Sequence, residues 1–192
     1  MTTAAFKEWS RICLALGAGQ QSIILRKGGI HERSGGFQWD HDEFWLFPTR
    51  FHEEGDALTA GAPGTGDATA PRHEEGTPES VEIRHFARIV EKHQLPKLDQ
   101  CHALEGLHFW KPGVLEDRFE WSDERCLWLA VLRIYEAPEA VVLPWQKNFG
   151  GCRSWLDLPA VPEGELRPVL DDEAHQQLVS EVAARLGATA KT

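Results

Sequence analysis

Apolar residues recur near the start of the chain at three- and four-residue steps, Phe6, Trp9, Cys13 and Leu16, with Thr2 and Thr3 ahead of them and Gly17 behind. That spacing predicts a helix over residues 4–16 with one core-covering stripe. The rhythm then changes. Ile23-Ile24-Leu25 sends apolar side chains to both faces of a short segment, the pattern of a strand buried on two sides. Gly28-Gly29 turns the chain, since paired glycines take the positive φ of a tight hairpin, and Ser34-Gly35-Gly36 marks a second turn. Phe37 and Trp39 alternate with polar residues, and Glu43 to Phe47 reads as an aromatic strand ended by Pro48. Residues 52–79 hold Gly, Ala, Thr, Pro and Glu around one large apolar residue, Leu58. They bury too little to offset ordering entropy, so a flexible insertion is predicted.

Beyond it, Val81, Ile83 and Ile89 alternate with charged residues, which suggests a strand, with a short helix as the alternative. Leu98, Cys101, Leu104 and His108 or Phe109 share one helical face before Lys111-Pro112-Gly113 breaks it. A short segment carrying Val114, Leu115, Phe119 and Trp121 leads to Cys126–Tyr135, the strongest strand in the chain. Pro138 punctuates it, Val141-Val142-Leu143 reads as the next strand, and Trp155–Leu158 as a further strand or turn after Gly150-Gly151. Asp171 or Asp172 can cap a last helix at about residues 172–186, where Ala174, Leu178, Val182 and Leu186 repeat every fourth position before Gly187. Strands outnumber helices and cluster, so the pattern predicts an α+β fold: a curled, mainly antiparallel sheet with N-terminal, central and C-terminal helices. A small open barrel satisfies the same order.

The chain has 192 residues, the size of one domain able to bury about 70% of its unfolded surface. Hydrophobic residues at 42% and charged ones at 26% exclude a wholly disordered chain and a collagen-like fibre. The net charge of -10 disfavours an indiscriminate nucleic-acid or anionic-membrane binder, which needs basic groups against phosphate. The charge is uneven. Residues 1–50 hold six Lys or Arg against five acids, and residues 51–192 hold fourteen against twenty-five, so a basic site belongs in the first fifty residues. The longest apolar run, Cys126–Leu132, is seven residues against about 20 for a bilayer-spanning helix, and the N-terminus has no charged region followed by an apolar stretch. A soluble, cytoplasmic protein without a membrane partner is expected. Four cysteines lack any C-x-x-C pair, which points to reduced, buried thiols.

The densest candidate chemistry is the basic glycine hairpin Arg26-Lys27-Gly28-Gly29, with Glu32 and Arg33 after it and Thr49, Arg50 and His52 after the aromatic strand. Glycines let a phosphate approach backbone N–H groups, and an arginine can grip it with two bonds. Neighbouring side chains on a strand point to opposite faces, so Arg26 and Lys27 share a surface only if the turn re-aims one of them. An ordinary hairpin with solvated charges explains the same residues. Trp39, Trp45 and Phe47 could stack unpaired bases, although packing explains most aromatics. His41-Asp42-Glu43 offers the H-x-E of zinc deaminases without its C-x-x-C partner. No phosphate-binding Gly-Lys-Ser/Thr loop, serine elbow or acid-x-Lys pair occurs. Neither a metal nor a cofactor is expected, and no catalytic residue can be named.

Lys7-Glu8-Trp9, Ala15-Leu16-Gly17, Leu25 to Ile30 with Glu32, Phe44 to Thr49 with His52, Leu132 to Tyr135, and Gly150-Gly151-Cys152 with Ser154-Trp155 resemble the bacterial and archaeal domain-of-unknown-function family eighteen-zero-two. Members have no assigned activity. Some are joined to restriction-endonuclease-like domains, and the resemblance thereby implies a nucleic-acid-related or defence role by association. The favoured reading is a non-catalytic module recognising nucleic acid or a nucleotide. A protein–protein interaction subunit comes next, and a phosphodiester-cleaving enzyme after it.

Overall fold

The computed structural model describes residues 2–27, 39–49, 57–64, 79–121, 123–151 and 153–189. Within them the chain forms β1 (Ala4–Trp9), α1 (Ser10–Gly17), β2 (Ile23–Arg26), β3 (Glu43–Thr49), β4 (Ser80–Leu95), α2 (Leu98–Ala103), α3 (Pro112–Glu120), β5 (Leu127–Pro144), β6 (Trp155–Asp157), β7 (Arg167–Pro168) and α4 (Asp172–Thr189). The seven strands make one open sheet in the order β2-β5-β4-β3-β1-β6, with β7 added to β5. Every pairing is antiparallel except β1 with β3. The fold is α+β as predicted, and the sheet does not close into a barrel.

The first segment departs from its predicted helix. Residues 4–9 are a strand, and helix begins only at Ser10. β1 lies inside the sheet with both faces covered, so its alternation puts Phe6 in one core and Ala5 in the other, each 0% exposed. Lys7 and Glu8 read as the wet face of a helix, yet both are buried. Lys7 Nζ donates to the carbonyls of Gly150 and Gly151 at 3.0 and 3.1 Å, and Glu8 Oε1 accepts the Trp9 backbone N–H at 2.7 Å. A buried polar group is tolerated when it is paired in this way.

The strands past the insertion run longer than their apolar patterns suggest. β5 passes through Pro138, which should have ended it. Ile83 pairs with Val141 and His85 with Glu136, so residues 137–140 stand outside the ladder, where proline forfeits no sheet hydrogen bond. Gly164, at φ 98°, packs against Pro138 so closely that an added Cβ would lie 2.8 Å from Cγ. The predicted helix at 98–109 stops at Ala103, and a second one, α3, starts within the Lys111-Pro112-Gly113 break, with Pro112 in its first turn. Residues 57–64 of the expected flexible stretch pack instead: Leu58 is 2% exposed and bridges Trp110. Residues 52–56 and 65–78 of that stretch lie outside the described residues.

Two cores flank the sheet. Ile12, Leu16, Leu115, Phe119 and Val182 close the larger one over Phe6, Phe44 and Leu46, so the helices lie on that face. Trp45, Phe47, Ile83, Phe86 and Phe149 form the smaller one, packed by Trp145, Leu156, Val161 and Leu166. α4 starts where Asp171 Oδ1 accepts the Ala174 N–H at 2.8 Å, a cap of the kind read from sequence. Its Asp172 meets the buried Arg133 at 2.6 Å. Cys13, Cys101 and Cys126 are buried free thiols. No helix among the described residues is long and apolar enough to cross a membrane.

Candidate functional site

β2 and β6 stand at opposite ends of the strand order, yet the sheet curls far enough for one side chain to reach across. Arg26, the last residue of β2, donates from Nη2 to Ser154 Oγ at 3.1 Å, just before β6. Its Nη1 lies 3.8 Å from Glu8 Oε2, and its guanidinium carbon 4.8 Å from the Phe6 ring centroid. Arg26 therefore bridges a seam between the two sheet edges. The Glu8 carboxylate in that seam is 1% exposed, whereas Arg26 keeps 23% of its side chain in solvent.

A second guanidinium, Arg118 on α3, lies close enough for the Glu8 charge to act on it. Arg118 stacks 3.6 Å from the Trp110 ring centroid and 5.8 Å from that of Trp9, and the two indoles meet edge to face at 4.7 Å. Burial is the main reason its pKa is lowered to about 10; Glu8 opposes that shift and Arg26 adds to it. It stays protonated at neutral pH. Next to it, His108 Nδ1 accepts the Trp110 N–H at 3.1 Å. Burial first, and Arg118 second, push the His108 pKa down to about 4, so the ring is neutral. Arg118 thus sits in the field of both Glu8 and Arg26, with the Trp9 and Trp110 rings against it.

Half-buried Trp155 pairs in register with Phe6, the ring over which Arg26 lies. It packs against Phe6 at 4.8 Å, Phe44 at 5.1 Å and the exposed His41 at 5.0 Å. Thr49, at the end of β3, donates to the Glu8 carbonyl at 3.3 Å. Arg26, His41 and Thr49 of the sequence-derived set therefore lie around the seam. Trp45 and Phe47 do not: each is 0% exposed in the smaller core, with the Trp45 indole donating to the Thr2 carbonyl at 3.1 Å. A ring enclosed on all sides offers no face to a base. Gly28, Gly29, Glu32, Arg33, Arg50 and His52 lie outside the described residues. Arg118 carries no motif and escapes sequence reading, and Glu8 enters it only within the Lys7-Glu8-Trp9 resemblance, with no role assigned.

Lys27 turns away from Arg26, as strand alternation requires. Its ammonium donates to the carbonyls of Phe119 and Cys126 at 3.1 and 3.2 Å and to that of Glu124. It thereby ties the end of α3 to the entry of β5. Lys27→Met keeps the stem and removes the donor, and we expect a loss of about 1–3 kcal/mol from the unsatisfied carbonyls. Urea denaturation checks this; an unchanged midpoint would mean that water replaces the ammonium.

Among the described residues, no three metal-ligating side chains gather. Burial raises the Cys101 thiol to about 12, which leaves it unsuited to nucleophilic attack.

The sequence matches the family model described as domain of unknown function (DUF1802) over residues 5–181. A search of curated proteins gave no match. Among solved structures, the crystal structure of ASCH from Zymomonas mobilis is similar at a TM-score of 0.46 and 16% identity, over 92% of this chain and 93% of that one. A point mutant of the same Zymomonas mobilis protein gives 0.45 at 16% identity, over 94% and 98%.

Proposed function

We propose that this chain, which belongs to the DUF1802 family, is a non-catalytic module that binds nucleic acid or a nucleotide through phosphate at the seam between β2 and β1–β6. The observation that carries this reading is the partly exposed Arg26 beside the buried Glu8 carboxylate, with the Trp110-stacked Arg118 close enough to feel both charges, in a chain of net charge -10. A phosphate oxygen can complete what one carboxylate leaves unsatisfied. Guanidinium groups match phosphate geometry, and Arg118 is already oriented by its stack on Trp110. The acidic remainder of the surface would repel a polyanion and so confine it to the seam.

Fluorescence anisotropy with a labelled oligonucleotide, titrated between low and physiological salt, tests this. We expect affinity to fall with salt, and Arg26→Ala and Arg118→Ala each to weaken binding on the order of tenfold, by analogy with the loss of a charge-assisted hydrogen bond. Thermal melting confirms that the variants fold. Binding that is absent at low salt, or indifferent to both substitutions, would refute the reading.

A further inference from the structure

Resting on the phosphate reading above, we propose that the seam is selective for unpaired nucleotides, with the phosphate at Arg26 and Arg118 and the bases against Trp9, Trp155 and Glu8. Two observations point there independently. The first is aromatic: half-buried Trp9 and Trp155 lie at the seam, Trp9 5.8 Å from the Arg118 guanidinium and Trp155 packed on the Phe6 ring over which Arg26 lies. A base can lie on such a ring only when it has left its own stack, as in single strands.

The second is polar. Glu8 Oε1 is taken by the Trp9 N–H, but Oε2 is buried with no hydrogen-bond donor, and its contact with Arg26 at 3.8 Å is too long to be one. A buried carboxylate oxygen in that state calls for an N–H. Phosphate has none to give at neutral pH, whereas the pairing edge of every unpaired base carries one. In a duplex those donors are consumed. Arg26, with a quarter of its side chain in water, is the group that must shift toward the phosphate to admit the base edge to Glu8.

Three labelled probes of equal length test this: a mixed-sequence single strand in DNA and RNA form, the corresponding duplex, and a DNA strand with abasic sites that keeps the phosphates. Expected is single-strand binding at least about tenfold tighter than duplex or abasic binding. Trp155→Ala should remove most of that preference, and Trp155→Phe, which keeps a stacking ring and guards against misfolding, should retain it. Equal affinity for all three probes, with dependence on Arg118 intact, would overturn the selectivity and leave phosphate recognition standing. If no probe binds at low salt, both fail together.

Discussion

Glu8→Ala is expected to destabilise the protein by roughly 3–5 kcal/mol, the range for removing one partner of a buried ion pair. The carboxylate is 1% exposed, pairs with Arg26 at 3.8 Å and acts on the charge of Arg118; without it, the repulsion between Arg26 and Arg118 loses the anion that offsets it. The substitution also removes the acceptor of the Trp9 N–H at the entrance to α1, where a negative charge complements the exposed amides of the helix start. Glu8→Gln keeps an acceptor and removes the charge, so it should lose less. The double variant Glu8→Ala/Arg26→Ala should lose less than the sum of its single changes, because it removes one of the two repelling cations. Chemical denaturation at pH 7 measures all five proteins: wild type, the three single variants Glu8→Ala, Glu8→Gln and Arg26→Ala, and the double variant. A loss below about 1 kcal/mol for Glu8→Ala, the size of a solvent-exposed pair, would show that the seam is wet and that its charges are not coupled.

Acidification should weaken the fold well before its carboxylates are spent. The His108 pKa is about 4 in the folded protein against about 6.5 for a free imidazole. Between those values the unfolded chain binds a proton that the folded one refuses. The stabilisation is complete above about pH 6.5 and disappears as the pH falls toward 4, roughly 3 kcal/mol in total at 1.36 kcal/mol per unit. Protonation in the folded state would set a second cation beside Arg118 and break the acceptance of the Trp110 N–H at Nδ1. His85 and His175 are also lowered, chiefly by burial, and add slope of the same sign, so the contribution of His108 must be isolated by comparison. Denaturation midpoints of wild type and His108→Gln across pH 4 to 7 do this. The variant should be less stable at neutral pH and lose less on acidification; parallel curves would exclude His108 as a source of the pH dependence.

The elements legible in the sequence are those whose side-chain pattern has one explanation. Cys126–Leu132 is continuously apolar and all but its first residue lies in β5, and Asp171 stands where a cap is needed and forms one for α4. β1 was misread because Lys7 and Glu8 mimic the polar side of a helix, and only contacts with residues far along the chain, Gly150 and Arg26, make their burial tolerable. The site divides in the same way. Arg26 announces itself through its basic, glycine-rich surroundings. Arg118 does not, since its partners Trp9 and Glu8 lie more than a hundred positions earlier and no spacing links them. Trp45 and Phe47 showed the right alternation, but alternation cannot say whether the outward face of a strand meets water or, as here, a second core.

Residues 4–6 find their last partner strand only at residues 155–157. During synthesis β1 must wait, with one backbone edge unclaimed, until β6 has left the ribosome. Arg26 inherits the same delay, because Ser154 arrives with that strand. Nascent chains stopped before this point would expose a ready template for edge-to-edge association, and the arrival of β6 is what releases the protein from that hazard.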